Sequence, residues 1–146
     1  DLHSFPTRRS SDLEMDAFDR EYLATNTPYH FEKMSVTDNQ GERREEFDTE
    51  VTLEFTDHGT RKSFTAAGNG PIDAVKRGII QNLGVDIKIL DYEEHALQAG
   101  SNSKAAAYIH LLDVETGRVT YGVGVSSNIT RASVYAIFSA MNRLFK

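Results

Sequence analysis

The chain has 146 residues, 39% of them hydrophobic and 26% charged, an ordinary globular balance and enough for one domain with a proper core. Its formal charge of -6 argues against nucleic-acid or anionic-membrane partners, which require clustered basic surface. With no cysteine, disulfide scaffolds, thiolate nucleophiles and cysteine metal sites are excluded. No stretch is apolar enough to span a bilayer and no signal peptide is legible, so a cytoplasmic location is expected.

Residues 1–13 read as foreign. Ser4-Phe5-Pro6-Thr7-Arg8-Arg9-Ser10-Ser11-Asp12-Leu13 resembles one reading frame of a short-read sequencing adapter joined to a gene fragment. It has no apolar periodicity and carries a proline in mid-segment, so it is expected to be disordered, and the true gene is expected to continue upstream. The alternative is a genuine basic leader that binds phosphate. Within 14–28, Met15 to Leu23 reads as a short helix, with Phe18 and Tyr22 four apart on one face, ended by the polar run into Pro28. It reads as a linker, the end of a linker helix, or as the tail of another domain.

From residue 29 onward one folded domain is expected, and its pattern begins with period two. Phe31 to Val36 reads as a strand, followed by turn-rich Asp38 to Gly41. Thr49 to Thr56 alternates, with Val51, Leu53 and Phe55 on one face and Thr52, Glu54 and Thr56 on the other, which means a sheet with one buried and one wet side. Asp57-His58-Gly59 turns the chain and Arg61 to Ala66 returns. Pro71 then opens a helix with Ile72, Val75, Ile79 and Leu83 on one face, stopped by Gly84.

The grammar repeats. Val85 to Tyr92, Ser103 to Val114 and Arg118 to Val125 read as strands, and Asn128 opens a helix whose Val134, Ile137, Met141 and Leu144 share a face. An offset of 58 residues sets Gly70 on Asn128 and Ile79 on Ile137, and sets Thr49 to Thr56 on Ala107 to Val114. The fold predicted is α+β: duplicated βββα units with pseudo-twofold symmetry, helices packed on antiparallel strands from approximately Pro71 to Leu83 and Ile129 to Arg143.

Three polar or glycine-rich features are candidates for chemistry. Gly68-Asn69-Gly70 before a helix can cradle an anion or serve only as a tight turn; it lacks both the third glycine of a dinucleotide fingerprint and the Gly-Lys-Ser/Thr of a phosphate loop. Gly122 and Gly124, two apart on one strand face, admit the close approach of either a ligand or a helix. Asp91-Tyr92-Glu93-Glu94-His95 is the densest polar cluster, but no other histidine stands at ligand spacing and no nucleophile accompanies it. It reads as a solvated strand edge or an interface segment, and no catalytic or metal-binding residue is assigned.

Gly68-Asn69-Gly70-Pro71-Ile72-Asp73-Ala74, Leu90-Asp91-Tyr92-Glu93-Glu94-His95-Ala96, Tyr121-Gly122-Val123-Gly124-Val125 and Ile129-Thr130-Arg131-Ala132-Ser133, in that order, closely resemble the C-terminal regulatory domain of 2-isopropylmalate synthases. The resemblance covers about Pro28 to Lys146. It implies an acyltransferase parent of leucine biosynthesis that joins acetyl-CoA to 3-methyl-2-oxobutanoate in a (β/α)8 barrel with a divalent metal. That barrel is absent from this chain, so no cofactor is expected here. It further implies a homodimeric domain that binds leucine for feedback inhibition. The matching ligand positions are Gly68, Asn69, Gly70, Ile72 and Asp73, then Ile89, Tyr92 and Ala96, then Ser103 and Ala105, and finally Ser127. An isoleucine-sensing domain of a citramalate synthase and a free-standing amino-acid-binding module are the alternatives.

Overall fold

The computed structural model describes residues 27–38, 48–97 and 104–145. The expected helix from Met15 to Leu23, the segment 1–13 and Ser103 lie outside these residues. Strands β1 (Tyr29–Asp38), β2 (Thr49–Asp57) and β3 (Thr60–Gly68) are followed by helix α1 (Pro71–Leu83). Strands β4 (Ile87–Ala96), β5 (Ala105–Asp113) and β6 (Val119–Ser126) are followed by helix α2 (Ile129–Leu144). Each strand trio forms its own antiparallel sheet, in the orders β1-β2-β3 and β4-β5-β6. The duplicated βββα architecture is thus present, in a form a parallel βαβ sheet could not give.

Local chemistry explains the corners. The β2–β3 turn has His58 at φ 52 and Gly59 at φ 84, and two successive positive φ values match the twist of a two-residue hairpin. Gly84 ends α1 at φ 69, a left-handed position that costs glycine little. On β2, Val51, Leu53 and Phe55 are buried while Thr52 is exposed, as the alternation requires.

The duplication extends to irregularities. β1 slips register between Phe31 and Lys33, and β4 slips between Ile89 and Asp91, at positions 58 apart. In β4 the slip resets the alternation, so Tyr92 turns toward the core and the strand runs on to Ala96. The sequence reading from Val85 to Tyr92 therefore both started early and stopped short.

One equivalence needs correction. Phe31 pairs with Phe55 and Ile89 pairs with Leu111, so the middle strands are offset by 56 residues, and Thr49 corresponds to Ala105 rather than Ala107. The β1–β2 connection has ten residues (39–48) and the β4–β5 connection eight (97–104), and the longer β5–β6 turn restores the 58 offset between Phe64 and Gly122. A shift of two keeps every side chain on its face, so the hydrophobic pattern alone does not register it.

α1 packs on β2 and β3 and touches β4; α2 packs on β5 and β6 and reaches β1, so the helices lie between the two sheets. A single apolar core results, drawn from both halves. Phe138 of α2 joins them, its ring 6.1 Å from Phe31 and 5.9 Å from Phe55, both edge-on. The outer faces differ: that of β2 and β3 is polar, whereas Ala106, Tyr108 and Val123 form a second, smaller apolar cluster on the outer side of the second sheet.

Candidate functional site

The residues matched to a ligand site fall into two groups. The first surrounds the start of α1. Gly68 is buried, and a Cβ there would meet the Ala74 backbone nitrogen at 2.5 Å and Asp73 Oδ2 at 2.7 Å. The Asn69 N–H donates to Asp73 Oδ2 at 2.9 Å, and Arg77 Nε donates to the same oxygen at 2.9 Å. Burial alone would raise the Asp73 pKa, but the Asn69 N–H and the Arg77 guanidinium more than offset it, and the carboxyl sits below its ordinary value. Asp73 thus fastens the loop to the helix. Ile72 is half-buried against the core.

Gly70 is the N-cap of α1, in extended backbone, and supplies no side-chain cap; a Cβ there would meet nothing within 4 Å. The equivalent residue of the second half is Asn128, whose Oδ1 accepts the Arg131 N–H at 3.0 Å. The start of α2 is closed by its own side chain. That of α1 has no side-chain cap at its N-cap residue, and the acidic group at its positive dipole end is Asp73 in the first turn.

The second group lies along β4 and across its neighbours. Ile89 and Tyr92 are packed against the main core. Tyr92 Oη stands 2.6 Å from Glu94 Oε2 and 2.8 Å from Ser133 Oγ on α2, while Ser133 Oγ is also 3.0 Å from the Ile129 carbonyl oxygen. The phenol and the hydroxyl have one proton each, so three acceptors compete for two protons. Burial and the hydrogen bond to Glu94 raise the Tyr92 pKa, so the phenol keeps its proton and donates. Ala96 faces Ala105 and Ala105 faces Ser126, a row of small residues at the end of the sheet beside exposed Ser127. Ile72, Ile89 and Tyr92 each pack against the main core.

Sequence reasoning overlooked Ser133 and Asn142. Both are fully buried, and both interrupt an apolar helix face, a legible signal because polar groups inside a core need partners. It also placed Tyr92 at a strand end, whereas the residue lies within β4. Gly122 and Gly124 have the helix reading: a Cβ on either would run into the α2 backbone at Ala136 or Ala132. His95 pairs with Glu93 at 3.2 Å, exposed, and no cluster able to hold a metal occurs among the described residues.

Comparison of the halves isolates the chemistry. At the positions of Tyr92, Glu94 and Ser133 the first half has Met34, Val36 and Val75, all apolar. A polar trio is thus confined to the second half.

The chain is similar to 2-isopropylmalate synthases over most of its length. It is 38% identical over 128 residues to that of Azoarcus sp. (strain BH72), covering 88% of this chain and 21% of the relative. It is 41% identical over 125 residues to that of Pseudomonas entomophila (strain L48), covering 85% and 20%, and 32% identical over 130 residues to that of Paraburkholderia phytofirmans, covering 89% and 21%. The chain therefore spans about a fifth of the length of these relatives. The family model for the LeuA allosteric (dimerisation) domain matches residues 10–145. Duplicated halves, a helix start without a side-chain cap and a matching family model over almost the whole chain lead to one conclusion: this chain belongs to the LeuA allosteric (dimerisation) domain family.

Proposed function

We propose that this chain is the effector-sensing and self-pairing domain of a cytoplasmic 2-isopropylmalate synthase, that its effector is leucine, and that the condensing barrel with its divalent metal belongs to the rest of that protein. The observation that carries the reading is the divergence of the two halves. Of the two described helices α1 alone starts without a side-chain cap, and only the second half replaces apolar Met34 and Val75 with hydrogen-bonding Tyr92 and Ser133. A small amino acid needs such a setting: unpaired helix N–H groups for its carboxylate, and apolar side chains such as Ile72 and Ile89 for its branch. Inhibition at a distance follows only if leucine binds two arrangements of the pair unequally, because equal affinity shifts nothing.

Calorimetry with leucine, isoleucine and valine tests the effector. Leucine should bind tightest, by the roughly 1–3 kcal/mol a misplaced methyl costs. Isoleucine binding better would move the assignment to a citramalate synthase, and no binding at all would sink the effector reading. Gly70→Asp tests the site. Its backbone is extended and its surroundings empty, and aspartate is a good N-cap, so the variant should fold at least as stably as the parent. Its carboxylate would occupy the helix start, so leucine affinity should drop at least about tenfold. Unchanged affinity would place the ligand carboxylate elsewhere.

A further inference from the structure

α2 is fixed to the second sheet along most of its length. Gly122 and Gly124 bring its backbone down onto β6 without intervening side chains. Thr120 Oγ1 donates to the Ala140 carbonyl at 3.0 Å, the Val123 N–H donates to Ser139 Oγ at 3.2 Å, and Arg118 donates to the Leu144 carbonyl at 3.1 Å. Contacts this close leave no slack, so helix and sheet move as one body.

The far end of that body holds the first residue of the other half. Asn142, fully buried, accepts the Tyr29 N–H on Oδ1 at 2.8 Å and donates from Nδ2 to the Tyr29 carbonyl at 2.7 Å, as a neighbouring strand would. Tyr29 opens β1, which among the described residues has β2 as its one neighbouring strand, and the amide serves the other edge. The first half holds the same point: the His58 N–H donates to the Pro28 carbonyl at 2.8 Å, and the Tyr29 ring sits edge-on to His58 at 6.0 Å. Nothing equivalent exists at the end of α1, where the position corresponding to Asn142 is Gly84.

We infer that Asn142 is a positioning residue that makes the start of β1, and the chain leading into it, follow the second half of the domain. Ser133, which meets Tyr92, lies nine residues before Asn142 on α2. At 1.5 Å per residue the two are about 13 Å apart along the axis. A displacement at Tyr92 that shifts α2 together with its sheet against the first half is delivered to the Tyr29 backbone, because the amide grips both its N–H and its C=O. In regulation, where this rests on the effector reading proposed above, occupancy near Tyr92 is thereby felt at the entry to β1, from Thr27 to Tyr29.

The test is amide hydrogen exchange in the full 146-residue chain, read at Tyr29, with Leu53 in the central strand of the first sheet as control. Tyr92→Phe keeps the ring and removes the hydroxyl from Ser133. It should speed exchange at Tyr29 by about tenfold and leave Leu53 unchanged. No change at Tyr29, or equal acceleration at both amides, overturns the proposal. Asn142→Asp keeps an acceptor for the Tyr29 N–H but sets a carboxylate against its carbonyl; in that background Tyr92→Phe should no longer affect Tyr29, and a persisting effect overturns the role of Asn142. L-leucine supplies a separate arm. Slower exchange at Tyr29 on binding supports the relay, and calorimetric binding without any change at Tyr29 overturns it while leaving the effector reading intact. Should leucine not bind, the effector reading falls and the Tyr92→Phe arm decides the relay alone.

Discussion

The ring of Phe64 on β3 occupies the space that a Cβ on Gly78 of α1 would need. Fifty-eight residues later the relation is reversed: the strand position holds Gly122 and the helix position holds Ala136, whose backbone carbonyl fills the space a Cβ on Gly122 would take. At this one pair of equivalent positions each half thus lacks a side chain, on opposite partners.

Gly78→Ala should therefore destabilise the domain although alanine is the better helix former. The propensity gain is about 1 kcal/mol. Displacing the buried Phe64 ring, itself 5.9 Å from the Phe55 ring, costs about 1–3 kcal/mol. A net loss of up to about 2 kcal/mol in urea denaturation is expected. Phe64→Leu in the same chain should recover part of it, and strict additivity of the two changes would show that the ring is not the obstacle.

Gly122→Ala should be worse and beyond such rescue. Its Cβ would meet the Ala136 carbonyl and the Ala140 nitrogen, which are backbone atoms and cannot rotate aside. A loss of at least about 3 kcal/mol, or no cooperative transition, is expected. Ala136→Gly should restore nothing, since it removes only a methyl group.

Asp73 sets part of the acid limit of stability. Its folded pKa lies below the unfolded value of about 3.9, so its contribution is fully present above that value and is lost as pH falls through the folded one. Asp57 is shifted the same way: burial pushes it up, but Lys62 and His58 pull it down further. Asp73→Asn should lower stability at neutral pH and flatten, without abolishing, the fall in stability below about pH 4. An unaltered acid limb in titrated urea melts would contradict this.

The two helix starts should answer oppositely to capping changes. Asn128→Ala removes the acceptor for the Arg131 N–H and should cost about 1 kcal/mol. Gly70→Asn adds an acceptor where there was none and should gain a few tenths of a kcal/mol. Thermal melts separate the two by sign.

Much of the fold was legible because the period-two and period-3.6 patterns change at glycine and proline, at Asp57 to Gly59 and at Gly68 to Pro71. The α1 span was read to the residue, since Pro71 and Gly84 punctuate it. The continuation of β4 past Tyr92 was hidden by a bulge, which breaks alternation without ending a strand, and by the polarity of Asp91 to His95. The 56-residue offset of the middle strands was hidden because two residues make a full strand period. At the candidate site, Gly70 and Tyr92 were proposed through resemblance, Gly70 also through Gly-x-Gly spacing. Ser133 became apparent only with its partner, because one serine in an apolar stripe does not announce whom it faces across forty-one residues.

The core shared across the two halves bears on how such a molecule can be cut. Phe138 lodges between Phe31 and Phe55, and Tyr29 is held by Asn142, so neither half completes an interior by itself. Peptides ending at Gly84 and beginning at Val85 should each be largely unstructured alone and regain helix and sheet when mixed. A gene for one βββα unit, before it was doubled, would have yielded a foldable product only as a pair of identical chains, and the tandem copy made that encounter intramolecular.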